Sequence, residues 1–303
     1  MTAKKWIKRI APWSVSAKRS VNQGIASWRA NRALNALNAF MPPSSQSDHG
    51  LSAPLVVSLT SYPPRYPVLA CTIKSLLLQN VKADKVVLWL AENDQHSLPD
   101  DVLELVNFGL QIRICKNLRS YKKIIPSLSE YSDSYIVTAD DDAYYPPNWL
   151  KTIVDQARLT PRAIVGTRGH IAKFAPDGHA KPYAEWTFDT RRRSDVDSHN
   201  RLFLTGIGGI IYPPAALPKE TLNEAAFQRL CPMADDIWLF AMSELAGIQR
   251  IRTPARFDFV NWPRSQECGL VHENVVAAGN DSQFSALEAA YPALSPRNRS
   301  FRA

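Results

Sequence analysis

Tyr135-Ile136-Val137-Thr138-Ala139-Asp140-Asp141-Asp142-Ala143-Tyr144-Tyr145-Pro146-Pro147 is the stretch that decides how this chain folds. Its first five residues read as a buried strand. The strand runs into three consecutive carboxylates and stops at a double proline. Like charges side by side repel one another. They are tolerated when solvated, or when a cation sits among them. An oxygen-only cluster suits a hard divalent metal, and Mg²⁺ is typically held by one or two carboxylates and completed by substrate phosphates. A metal-bound, phosphorylated substrate is therefore the first expectation. The alternative is a solvated turn, or a cap for the helix that begins near Asn148.

Upstream, apolar runs over 55–60, 85–90 and 110–114 alternate with helical periodicities over 68–79, 100–108 and 124–131. That alternation predicts βαβ units and an α/β fold with a mostly parallel sheet flanked by helices. Ligands of such sheets bind beyond the carboxyl ends of the strands. Two polar clusters fall there: Thr60-Ser61-Tyr62 after the first strand and Asp140-Asp141-Asp142 after the fourth. Downstream, a helix is expected over 148–160 and a strand over 163–167. A long polar loop over 169–200 carries His170, Trp186 and Arg191-Arg192-Arg193. A strand-like stretch over 202–212 contains Gly206-Ile207-Gly208-Gly209. Asp235-Asp236 opens a helix that runs to about residue 246.

The chain has 303 residues, 45% of them hydrophobic and 21% charged, enough for one large core. Its four cysteines form no CxxC pair, which argues against zinc and for a reducing compartment. The formal charge of +8 is concentrated at one end. Residues 1–47 hold Lys4, Lys5, Lys8, Arg9, Lys18, Arg19, Arg29 and Arg32 and no acid, so the body is neutral. A nucleic-acid enzyme would spread positive charge over its main domain, so a nucleic-acid partner is not expected. No apolar run approaches the roughly 20 residues of a membrane span. The expected organisation is a basic amphipathic helical arm over 1–41, a linker over 42–53, the main domain over 54–290 and a flexible tail over 291–303. The arm suits an anionic membrane surface, with packing on the body or on a partner subunit as its alternative. The expected location is cytoplasmic, peripheral on the inner face of the plasma membrane if the arm binds lipid.

Val57-Ser58-Leu59-Thr60-Ser61-Tyr62-Pro63, Ser120-Tyr121-Lys122-Lys123-Ile124-Ile125-Pro126 and the run from Ile136 to Tyr145 together resemble nucleotide-sugar-dependent glycosyltransferases of the GT-A (Rossmann-like) fold. The match is to the family-2-like enzymes of bacterial polysaccharide and lipopolysaccharide synthesis. It covers about residues 54 to 285 and is thinner after Arg168. The resemblance implies that Thr60, Ser61 and Tyr62, with Arg65 nearby, line the nucleoside pocket. It puts the family's metal motif on Asp140 and Asp142, with Asp142 the direct ligand of Mn²⁺ or Mg²⁺. It implies a UDP-linked donor, inversion at the anomeric carbon, and a saccharide or lipid-linked acceptor. The family's late acidic pair maps to Asp235-Asp236, although the family more often has Glu-Asp there. That departure leaves open which acid is the base, and Asp236 is the choice here. The chemistry itself needs a general base on the face opposite the leaving diphosphate. Acids at a helix start also complement its dipole without any catalytic role.

Further expectations stand on single residues. Lys122 and Lys123 contact the donor, or else are a solvated helix start. Asp141 belongs to the donor side without a role of its own. Gly208 and Gly209 shape the sugar and acceptor pocket, or form a tight turn. Trp186 offers a ring to a sugar, and His272 is a late metal ligand as in some GT-A enzymes. The rivals are a retaining transferase, a sugar-phosphate nucleotidyltransferase, and a non-catalytic carbohydrate- or membrane-binding protein. Nucleotidyltransferases commonly use a glycine-rich loop after the first strand, and the run from Ser58 to Arg65 has no glycine.

Overall fold

A computed structural model describes residues 24–38, 40–41, 45–190, 200–255, 257, 259–263, 265 and 279–294. Arg191, Arg192, Arg193 and His272 lie outside the described residues, as do the first part of the basic arm (1–23) and the chain end (295–303).

The helix over 24–38 (α1) precedes β1 (Leu55–Thr60), α2 (Tyr66–Leu77), β2 (Lys85–Ala91) and α3 (Asp100–Leu103). Then come β3 (Leu110–Cys115), α4 (Ile125–Glu130), β4 (Tyr135–Ala139), β5 (Ala143–Tyr144), α5 (Trp149–Leu159) and β6 (Ile164–Gly166). The second half adds β7 (Gly169–Lys173), β8 (Asn200–Leu204), β9 (Ile210–Tyr212), α6 (Glu224–Leu230) and α7 (Asp235–Leu245). It closes with β10 (Arg250–Arg252), β11 (Val260–Asn261) and α8 (Gly279–Ala290).

Seven strands form one sheet in the order β10-β6-β9-β4-β1-β2-β3. Every pairing in it is parallel except those of β9, which runs antiparallel to β4 and β6. This is a Rossmann-like, mostly parallel α/β sheet with helices on both faces. The inner strands β1, β2, β4, β6 and β9 are mostly apolar on both sides because both sides are covered. Leu55, Val57 and Leu59 of β1 pack with Leu69 and Ile73 of α2 and with Trp149 and Ile153 of α5. Val56, with Trp89 of β2 and Ile136 of β4, packs toward Ile125 of α4, Phe227 of α6, Ile237 of α7 and Leu287 of α8. A one-residue slip of β1 would exchange these sets and turn Ser58 into the wrong layer. Ser58 is tolerated because its hydroxyl donates to the Lys123 carbonyl at 2.7 Å and lies 2.8 Å from Ser127 Oγ. Trp89 Nε1 donates to the same Ser127 Oγ at 2.7 Å. That buried network fastens the 119–127 segment to the sheet.

The chain runs outward from β1 through β2 to β3, then returns to lay β4 on the other side of β1. The β1–β4 junction is thus a topological switch point, where such sheets open a crevice at the strand ends.

Four expectations change here. The polar loop over 169–200 begins with a strand, β7, paired antiparallel with β8 from Gly169↔Leu204 to Lys173↔Asn200. The strand-like stretch over 202–212 is two strands in different sheets, broken at the glycines. The segment read as a linker is fixed to the body: Gln46 Nε2 donates to the Gln79 carbonyl at 2.6 Å, and Ser47 bridges Val81. The start of the expected tail is also packed, with Leu294 buried. Within α1, Ala30, Ala33 and Leu37 are buried, and the latter two pack on Trp262 beside Val68, Cys71 and Tyr144. On the opposite side, Ile25 and Trp28 are 46% and 59% exposed, and the Arg32 guanidinium lies 5.7 Å from the Trp28 ring centroid. Among the described residues no helix is long and apolar enough to cross a membrane.

Candidate active site

The crevice at the switch point is a cavity of about 1040 Å³. That is at the upper end for one small-molecule ligand, typically about 300–1,000 Å³, and leaves room for two. Its floor is the junction of β1 and β4. Leu59 pairs with Ala139, so Ser61 and the aspartate triplet leave the sheet side by side. Ser61 Oγ donates to Asp141 Oδ2 at 2.6 Å. Arg65, at the start of α2, forms a buried ion pair with Asp142. Tyr145 Oη accepts the Asp140 N–H at 2.7 Å. The triplet is held from behind as well. Thr72 Oγ1 donates to the Asp141 carbonyl at 2.9 Å, Trp262 Nε1 donates to Thr72 Oγ1 at 2.8 Å, and the Trp262 N–H donates to the Asp142 carbonyl at 3.0 Å.

The two acid clusters meet at one lysine. Lys123 Nζ lies 3.1 Å from Asp140 Oδ1 and 3.2 Å from Asp235 Oδ2. Burial works against its charge, yet Asp140, Asp235 and Asp236 outweigh burial and hold its pKa well above the usual value. Both carboxylate oxygens of Asp236 accept the Gly206 N–H at 3.0 Å. A Cβ on Gly206 would stand 2.9 Å from Asp236 Oδ1 and 3.1 Å from Lys123 Nζ, so this approach needs glycine. Burial first, then the neighbouring charge of Asp235, push the Asp236 carboxyl up to about 7. Burial pushes Asp141 up to about 6 against the pull of its Ser61 hydrogen bond.

Other sequence-predicted residues fall as follows. Thr60, Tyr62, Lys122 and Gly208 line the cavity. The Thr60 hydroxyl, however, is committed to the Trp89 carbonyl at 2.8 Å. Lys122 Nζ donates to the Ser61 carbonyl at 3.2 Å and pairs with Asp94 at 3.5 Å, so it is no solvated helix start. Gly209 is not on the cavity wall. Its φ is +90°, and a Cβ there would stand 2.5 Å from the Trp149 ring. Trp186 is a correction. Its ring is buried against Phe203 and Phe284, its Nε1 donates to the Lys181 carbonyl at 2.9 Å, and it offers no face to the cavity.

The sequence reading did not single out Asp94, Asn117, Arg119, Arg168, Tyr183, Phe188 or Thr205, which also line the cavity. Asp94 and Asn117 follow β2 and β3 directly, so the strand-end rule applied to every strand would have found them. Arg168 and Tyr183 belong to a region whose strands were not foreseen.

Among the described residues, no three His, Cys, Asp or Glu side chains form a self-sufficient metal cage. Asp140 and Asp142 nevertheless both line the cavity, each already paired with a cation. That set fits a hard cation only in company with a ligand's phosphates, and Arg65 and Lys123 already carry part of the neutralising charge.

No protein-family model matches the chain, and no curated protein sequence matches it. Among solved structures it is similar to a CMP:2-keto-3-deoxy-manno-octonic acid synthetase in complex with CTP. The TM-score is 0.41 and the identity 12%, over 76% of this chain and 100% of that one.

Proposed function

We propose that this chain is a glycosyltransferase of GT-A type, moving a sugar from a nucleotide-sugar donor, UDP-linked in our reading, to a saccharide or lipid-linked acceptor in cell-surface glycan synthesis. One observation carries the reading. Two acid clusters far apart in sequence converge on Lys123 within one cavity at the sheet's switch point. One cluster emerges beside Ser61 and Arg65, where a donor's charged part would lie. The other holds Asp236, a half-buried carboxyl on the cavity wall whose pKa is raised toward neutral, as a general base requires.

In this mechanism the nucleoside end lies between the ends of β1, β2 and β3, beside Ser61, Tyr62, Asp94 and Asn117. Arg65, Lys122 and Lys123 face the diphosphate with positive charge. A divalent cation, Mn²⁺ or Mg²⁺, held by Asp142 and Asp140 together with the donor's phosphates, would supply further charge neutralisation for the leaving group. Asp236 accepts the proton of the acceptor hydroxyl. The acceptor oxygen forms its bond to the anomeric carbon as the bond to the diphosphate breaks and its electron pair leaves with the nucleotide. Inversion follows from attack on the opposite face. Asp235 keeps Asp236 basic by its charge, and the Gly206 N–H fixes the direction of the carboxylate. On the molecule's outside, the Ile25, Trp28 and Arg32 side of α1 suits an anionic membrane surface, which would bring the cavity close to a lipid-linked acceptor.

The test is a panel of nucleotide sugars incubated with the protein, with Mn²⁺ or with chelator, and assayed for free nucleoside diphosphate. Release that depends on metal and disappears in Asp142→Asn and Asp236→Asn is the expected result. Pyrophosphate release would identify a nucleotidyltransferase instead. Absence of both turnover and nucleotide binding across the panel would end the enzyme reading.

A further inference from the structure

We propose that the end of the cavity beyond Asp236 binds an anionic saccharide, a sugar carrying a carboxylate or a phosphate, and that Arg168 recognises its charge. The proposal rests on the glycosyltransferase reading of the same cavity and names the class of its acceptor.

Arg168 sits between β6 and β7, half-buried on the cavity wall. Its guanidinium makes no hydrogen bond or ion pair among the described residues. Nearby arginines are different: Arg65 meets Asp142, Arg201 and Arg250 meet Glu244, and Arg252 meets Asp189. A partly desolvated guanidinium with no counter-ion among the described residues is stabilised by an anionic ligand. In the proposed mechanism the donor's phosphates already have Arg65, Lys122 and Lys123, each placed beside the first acid cluster or Asp94, which leaves Arg168 for another anion.

Arg168 shares its cavity with Asp236, and His170, Tyr183 and Phe188 line the same cavity. Burial raises the Tyr183 hydroxyl to about 12, Asp236 adds to the rise, and Arg168 opposes it, so both charges act on one hydroxyl. A group held by Arg168 therefore lies in the same cavity as the proposed base. His170 supplies a second donor. Its Nδ1 accepts the Asp189 N–H at 3.0 Å. Burial and the charge of Arg168 pull its pKa down to about 4, so the ring is neutral with its proton on Nε2. Rings complete the wall: His170 lies 4.7 Å from Phe188 and 6.1 Å from Tyr183, and Phe188 is 45% exposed. Apolar faces beside a cation and a neutral N–H donor match a sugar ring bearing an acid. A neutral sugar would use the rings but offer Arg168 no opposite charge. Without Arg168, the carboxylates of Asp140, Asp235 and Asp236 would repel an anionic acceptor.

The experiment measures binding by titration calorimetry and saturation-transfer NMR, with and without saturating UDP. The probes are methyl glucuronide and methyl galacturonide against their neutral methyl glycosides, and glucose 6-phosphate against glucose. We expect at least one anionic probe to bind about tenfold or more tightly than its neutral counterpart. That preference should be lost in Arg168→Gln and retained in part in Arg168→Lys, with UDP affinity unchanged and both variants melting like the parent. Preference in the uronide arm or the phosphate arm identifies which anion is read. The proposal is overturned if no anionic probe is preferred, if the preference survives Arg168→Gln, or if that variant weakens UDP instead, which would assign Arg168 to the donor. The assay requires no turnover, so failure of the glycosyltransferase reading is seen separately, in the nucleotide-release panel.

Discussion

Asp236 serves two opposed demands. As a base it must be ionised, yet burial and Asp235 hold its carboxyl near pH 7. Sugar transfer per encounter (kcat/KM) should therefore rise through about pH 7 and level off above it. Profiles flat from pH 5 to 9 would remove Asp236 as the base. Asp236→Asn should lower kcat by roughly 10²–10⁴-fold. The same substitution has the reverse effect on stability. A carboxyl whose pKa is raised on folding contributes stability that is full below its unfolded value and is lost as pH rises through about 7. Removing the charge should therefore raise the melting temperature at pH 8 and do little at pH 4, as calorimetry can check. At this scale Asp140, Asp142 and Asp235-Asp236 were legible because acids next to an apolar strand or at a helix start break a simple pattern. Arg168 was not, because a single arginine in a polar stretch has no spacing to mark it.

The strand β9 explains why the second half was harder to read than the first. Each strand from β1 to β4 is a local apolar run with a periodic helix after it, so sequence and pairing agree. β9 has three residues and reverses direction between β4 and β6. Its place depends on Gly208 and Gly209, both at positive φ, which carry the chain from β8 into the sheet. The sequence showed the glycines but not that they separate two sheets, because β7 and β8 are paired across a long excursion. Gly209→Ala would force the backbone out of a glycine conformation and drive a methyl group toward Trp149. It should destabilise the fold by at least roughly 1–3 kcal/mol, read as a lower urea midpoint. A neutral outcome would show that this junction is looser than described.

Over the whole molecule, charge and shape divide between arm and body. The whole formal charge of +8 is N-terminal, whereas the cavity sets Arg65, Lys122 and Lys123 against its own acids. The composition made that asymmetry plain. It did not reveal that half of α1 is spent on packing against the body, because Ala30, Ala33 and Leu37 resemble a membrane-facing stripe as much as a core-facing one. The surfaces can be separated. Ile25→Ser with Trp28→Ser changes only exposed positions and should leave the melting temperature within about 1 °C, since surface substitutions are usually within ±0.5 kcal/mol. If the arm binds lipid, the same pair should reduce sedimentation with anionic liposomes. Unchanged sedimentation would confine α1 to packing.

Trp262 touches both regions. Its ring is covered by α1, and its indole and backbone N–H groups support Thr72 and the Asp142 carbonyl behind the aspartate triplet. Docking of α1 and filling of the cavity thus share one rigid strut, and coupling between two binding events is reciprocal. A nucleotide in the crevice should slow amide hydrogen exchange along residues 24–38, far from any phosphate. Conversely, a surface that grips the arm should tighten the nucleotide by the same factor. The helix would then act as a thermodynamic lever on the cavity as well as a tether. Exchange rates on α1 indifferent to bound UDP would show that the strut transmits nothing.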